Sequence, residues 1–292
     1  MLLEVFDFVY SVYLVRNRTS HMKYIFLSIL IIFYTTVIAQ DKQEHWETYL
    51  AQYDKGPGST MVNMSLKNQA PLSQLPFLLE ASVKIKRCNT DGFPEHGEWD
   101  SLYRISDAVK AAIEGQVQSK AAGTFTCQCW RTDYHYIRDT NMIRDRLMKV
   151  FKDSLPDHEY KIEIKPDSNW EAYLSFLYPN EETLENISNQ QIVLQLEKSG
   201  DKLDKPRLVD HWLYFKTVSE RKQFADYAVQ QNFAIEGQEL SKKSDLSFGI
   251  HISRVDKVDI QSISVVTLQL RRKAIELGGD YDGWETFVIR DK

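Results

Sequence analysis

One pattern constrains this chain more than any other: the period of its apolar residues switches in the same order twice. Phe77, Leu79, Ala81, Val83 and Ile85 alternate with Glu80, Ser82, Lys84 and Lys86, which predicts a strand with one buried face. Trp99, Leu102, Ile105, Val109 and Ile113 then recur at helical spacing, predicting an amphipathic helix over 98–115. Strands follow over 123–130 and 133–137, then a helix marked by Ile143, Leu147 and Val150. Residues 160–164 and 170–177 also have strand composition. From Val209 the order strand, helix, strand, strand, helix, strand returns. Val209, His211, Leu213 and Phe215 point one way along its first strand, and Thr217 with Glu220 forms a capping box for the next helix. The expected fold class is α+β: two βαββαβ, ferredoxin-like sandwich domains in tandem.

The front of the chain reads differently. Residues 24–38 are an unbroken apolar and small run, with Lys23 just before it and Val37-Ile38-Ala39 closing it. A charged flank, a short apolar core and small residues at a cleavage site form a secretory signal pattern. The run is short of the roughly 18 residues a membrane span needs. Residues 1–21 precede an ideal start at Met22-Lys23 and read as an upstream extension. The expected division is therefore 1–39 for extension plus signal peptide (22–39), 40–179 for a first domain and 180–292 for a second, with Asn180-Glu181-Glu182 as linker. The mature protein is expected to be exported, periplasmic or secreted, with no stable membrane insertion after cleavage.

Chemistry-bearing residues are sparse. Cys127 and Cys129 fall on one face of their predicted strand and read as small buried hydrophobes, since no further ligand stands at metal spacing. Export permits a disulfide, but Cys88 lies on the polar phase of its strand and the odd count leaves one thiol over. The expectation leans to free thiols. The histidines show no His-Glu-x-x-His spacing, and glycine-rich phosphate loops and nucleophile elbows are absent from the sequence. No catalytic, cofactor or metal site is expected. A formal net charge of -5 argues against direct nucleic-acid binding.

Near the C-terminus, Gly278 and Gly279 end a long helical pattern, Asp282-Gly283 is a turn signal, and Trp284 opens a strand-like run through Ile289. Tyr281-Asp282-Gly283-Trp284 resembles the closing motif of the RraB-type family, regulators that bind and inhibit ribonuclease E. The resemblance extends through residues 206–215 and the helix carrying Phe224 and Ala228, and covers roughly 183–292. Residues 46–179, with Trp46, Gly92, Trp170, Tyr173 and Pro179, resemble domain of unknown function 695, a label that carries no activity.

The RraB resemblance implies protein binding and regulation of a partner. Asp210, Trp212 and Tyr214 share one strand phase. If the 183–199 helix leaves that phase open, they form an exposed aromatic surface of the kind that marks protein contacts. Trp284, at a helix–strand junction, is expected to be structural. The reading is a non-enzymatic exported binding protein. Its alternatives are a cytoplasmic inhibitor of an RNase E-type nuclease and a hydrolase with its site between the domains.

Overall fold

The computed structural model describes residues 44–154, 156–240 and 245–290; the signal segment and the expected start near Gln40 lie outside them. The described chain is mixed α+β, with two separate antiparallel sheets.

The first sheet has six strands: β1 (Trp46–Tyr53), β2 (Gly56–Asn63), β3 (Phe77–Lys84), β4 (Ser119–Cys127), β5 (Trp130–Ile137) and β6 (Tyr160–Pro166), in the order β1-β2-β4-β5-β3-β6. Helices α1 (Trp99–Ile113) and α2 (Ile143–Ser154) cover one face. There Leu79, Ala81 and Val83 of β3 pack against Leu102, Ile105, Val109, Leu147 and Phe151. The β1–β2 hairpin widens the sheet beyond the expected four strands: Gly56-Pro57-Gly58, whose composition suits a turn, lies inside β2, and the chain reverses at Asp54-Lys55.

Residues 170–177 are not a strand: Ala172–Leu177 is a π-helical turn. Its start is held by Asp167, whose carboxylate accepts from the Glu171 and Ala172 amides and from the Tyr136 hydroxyl. A side chain that satisfies several amides at a helix start favours a turn over an extended strand. Trp170 then stacks on Tyr136 with ring centroids 3.8 Å apart and donates from Nε1 to the Leu75 carbonyl, covering the second face of the sheet.

Cys127 and Cys129 do not share a strand face. Gln128 and Cys129 both have positive φ and form the two-residue turn between β4 and β5, the geometry that suits the twist of a hairpin. Cys129 there forms a disulfide with Cys88, against the expectation of free thiols, and Cys127 is left as the free cysteine. The 88–94 loop lies directly on this turn. Gly92 has φ +82°, its carbonyl accepts from the Cys129 amide, and a Cβ there would stand 2.7 Å from the Gln128 nitrogen.

The second sheet has four strands: β7 (Arg207–Phe215), β8 (Ala234–Leu240), β9 (Phe248–Asp256) and β10 (Asp280–Thr286), in the order β10-β7-β9-β8. Helices α3 (Glu181–Lys198), α4 (Val218–Gln230) and α5 (Ile260–Glu276) all pack on one side. Thr217 and Glu220 form the predicted capping box at the start of α4. The expected linker residues open a helix: the Asn180 side chain caps α3, and Glu181 and Glu182 form its first turn. Along α3, Ile187 packs in the first sheet's core, while Val193 and Leu196 pack in the second's. Strand β10 begins at Asp280, earlier than the predicted Trp284, and Asp282 is a β-bulge inside it rather than a turn.

Trp284 is 6% exposed, packed on Val193, Leu196, Val209 and Ile263, and its Nε1 donates to Asn189 Oδ1 at 2.8 Å. Trp284→Ala is expected to lose about 3–5 kcal/mol of stability. Trp284→Phe keeps most of the packing but strands the Asn189 oxygen, an expected loss of about 1–3 kcal/mol. Denaturant melts of the two variants against wild type measure both.

Candidate functional site

In an antiparallel sheet, residues in register point to the same face. On β7, Val209, His211, Leu213 and Phe215 are buried toward the helices, while Asp210, Trp212 and Tyr214 are half-buried on the opposite phase. Helix α3 does not cover that phase. It lies with α5 on the side of Val209, where Asn189 donates to Thr267 Oγ1 at 2.7 Å.

The open face is built around one cross-sheet row. Trp212 pairs with His251 on β9 and with Gly283 on β10, and His251 pairs with Gly237 on β8. The row reads Gly283, Trp212, His251, Gly237. The indole and imidazole rings stack, 4.7 Å apart and 10° from parallel, and His251 Nε2 lies 2.7 Å from Asp210 Oδ1. Both edge strands bulge beside this row, β10 at Asp282 and β8 at Glu236. A bulge places two residues opposite one and re-aims a side chain. Ser253 donates its hydroxyl to Glu236, Tyr214 lies 3.5 Å from Glu239, and Glu285 sits beside Asp210 in register. Partial burial, then the charges of Asp282 and Glu239, push the Tyr214 hydroxyl pKa up, so it stays a neutral donor.

His211, on the opposite phase, takes no part in this face. It is fully buried, with Nδ1 2.8 Å from the Tyr281 hydroxyl and Nε2 without a hydrogen-bond partner. Burial, with Arg254 and His251 nearby, depresses its pKa to about 3. Burial likewise keeps Tyr281 protonated, with its pKa raised well above the usual value. This neutral pair fills the core between β7 and β10, and its ring faces Phe233 rather than a carboxylate. Of the motif Tyr281-Asp282-Gly283-Trp284, Tyr281 and Trp284 point into the core, and Asp282 and Gly283 form the bulge beside Trp212.

Residue spacing alone grouped Asp210, Trp212 and Tyr214. It did not reveal His251, Glu236, Gly237 or Glu239, which arrive from strands paired at long range. Among the described residues, no cluster of three or more His, Cys, Asp or Glu side chains could hold a metal ion. Among the same residues, no helix is long and apolar enough to cross a membrane.

Fold and site together define a chain with two antiparallel sheets, the second of which has an aromatic, acid-rimmed face that no described helix covers. Residues 44–178 match the model of a family of unknown function (DUF695), and residues 186–286 match the family described as regulator of ribonuclease activity B. No curated protein matches the chain. Among solved structures, an unknown protein from Galdieria sulphuraria is 11% identical, covering 73% of this chain and 99% of its own at a TM-score of 0.20. A chain assigned as a glycine cleavage system transcriptional repressor is 11% identical, covering 74% and 98% at 0.19.

The buried histidine sets a pH dependence. Its folded pKa lies below its unfolded value of about 6.5, so between those values the unfolded chain binds the extra proton. The stability contribution is complete above about pH 6.5 and is lost as pH falls toward 3, by up to about 1.4 kcal/mol per pH unit. Thermal melts from pH 7 to 4 should show this slope in wild type and a shallower one in His211→Gln.

Proposed function

We propose that this chain is an exported, non-enzymatic regulator that binds another protein through the open face of its second sheet. The observation that carries the reading is the uncovered Trp212–His251 stack with Asp210 and Tyr214 beside it, on the unit that matches the ribonuclease-regulator family. Large aromatics on an uncovered face supply contact area at low entropic cost and are enriched among residues that dominate binding energy. In this reading both units are ferredoxin-like. Each contains strand, helix, strand, strand, helix, strand, and the orders β4-β5-β3-β6 and β10-β7-β9-β8 place the first and third strands of each unit at its centre.

Export is supported by the signal pattern of residues 22–39 and by the Cys88–Cys129 disulfide, since disulfides persist in oxidising compartments and are rare in reducing ones. A cytoplasmic regulator of an RNase E-type nuclease fits the family match equally well but leaves that disulfide in a reducing compartment. The partner of an exported protein is a different one, outside the cytoplasm.

Two measurements test the proposal. N-terminal sequencing of the native protein should find a start at or near Gln40; soluble protein beginning at Met1 or Met22 contradicts export. Cross-linking pull-downs with Trp212→Ala and Tyr214→Ala should lose partner recovery, each weakening binding by about 1 kcal/mol or more, while thermal melts change little. A Trp212→Ala variant that melts as badly as Trp284→Ala shows that the face serves the fold rather than a partner.

A further inference from the structure

We infer that the open face recognises a cationic side chain, an arginine above all, presented by a partner protein segment. The inference rests on the docking surface proposed above and names what it binds. Two independent features point to it.

The first is shape. The Trp212–His251 platform is flanked across the sheet by Gly283 and Gly237, and a Cβ at either glycine would meet nothing within 4 Å. Apart from the bulged carboxylates next to them in the chain, the two glycines leave the ends of the platform clear, so a flat group has room to lie along the rings.

The second is charge. Each glycine is preceded by a bulged carboxylate, Asp282 on β10 and Glu236 on β8. The rows on either side add Glu285, Asp210 and Glu239. Within the four strands, the phase that carries Trp212 holds no lysine or arginine. Arg207 and Arg254 belong to the opposite phase, where Arg207 pairs with Asp201 and Arg254 with Asp256. The carboxylate rim thus lacks strand cations to neutralise it, with His251 the one basic ring on the face.

An aromatic ring ringed by carboxylates attracts a cation twice, through the ring quadrupole and through Coulomb attraction. A planar guanidinium matches this face better than an ammonium. It stacks flat on indole while its edge donors reach carboxylates bidentately. The same field repels phosphate groups, so a protein segment is the fitting ligand and a nucleic acid is not.

The probe is a fluorescein-labelled twelve-residue peptide with arginine at alternate positions, compared with lysine and glutamate versions by fluorescence anisotropy on the purified protein. The arginine peptide should bind, weaken as salt rises, and exceed the lysine peptide; the glutamate peptide should not bind. Trp212→Ala should reduce arginine-peptide affinity about fivefold or more and erase its advantage over lysine. Glu236→Gln with Glu285→Gln should flatten the salt dependence. Gly237→Leu, at a position where an added Cβ meets nothing within 4 Å, fills the end beside His251 and should weaken binding even if Trp212→Ala fails to fold.

Unchanged binding in both Trp212→Ala and Gly237→Leu, or equal binding of the glutamate peptide, overturns the inference. If the arginine peptide fails while cross-linked partner recovery still depends on Trp212, the face docks a partner of other chemistry and only the cationic inference falls. If partner recovery is also independent of Trp212, both readings fall.

Discussion

The buried amide of Asn189 is the contact on which the second half of the molecule depends. Its nitrogen donates to Thr267 and Ser264 on α5, and its oxygen accepts from the Trp284 indole on β10. A buried amide costs several kcal/mol if its partners are missing, so α3 has one register in which all of these bonds close. Four residues earlier, Glu185 accepts from Arg271, which also donates to the Tyr281 carbonyl. Between those two positions Ile187 reaches the first sheet's core, and just beyond them Gln191 donates to Glu47 on β1. One helix therefore sets the position of β10, and through β10 the bulge that flanks Trp212.

The alternating strands and helices were legible because their signals are local. Phe77 to Ile85 declared a strand face, and Thr217 with Glu220 declared a helix start. Failures cluster where a distant group overrides local composition. Trp170 to Leu177 has strand-forming residues, yet the Asp167 carboxylate, with Tyr136 beside it, turns that segment into a π-helix. Asp282-Gly283 has turn chemistry, but pairing with β7 draws it into a strand as a bulge. Half of the candidate face could be read from the phase of one strand; the other half needed the register of β8, β9 and β10.

The cysteines show the same limit in another form. Cys127-Gln128-Cys129 looks like strand spacing, but two successive residues with positive φ make it a hairpin tip. That inversion brings Cys129 to Cys88, 41 residues away. Gly92 and the Asn89 carboxamide, which accepts from the Asp91 and Phe93 amides, shape the loop that lies on the tip. The clamp holds the loop that leads into α1 against the β4–β5 turn.

The two bulges also decide how the second sheet can meet another chain. A regular outer strand offers a row of unpaired amides and carbonyls on which a further strand can be laid. A bulge interrupts that row and increases the local twist. Both outer strands, β8 and β10, carry one, each with a carboxylate at the break. Lateral growth of this sheet, by a visitor's strand or by a second copy of the chain, is thereby disfavoured at both margins. For the proposed partner this leaves the broad surface between them, where recognition would run through side chains rather than through backbone pairing.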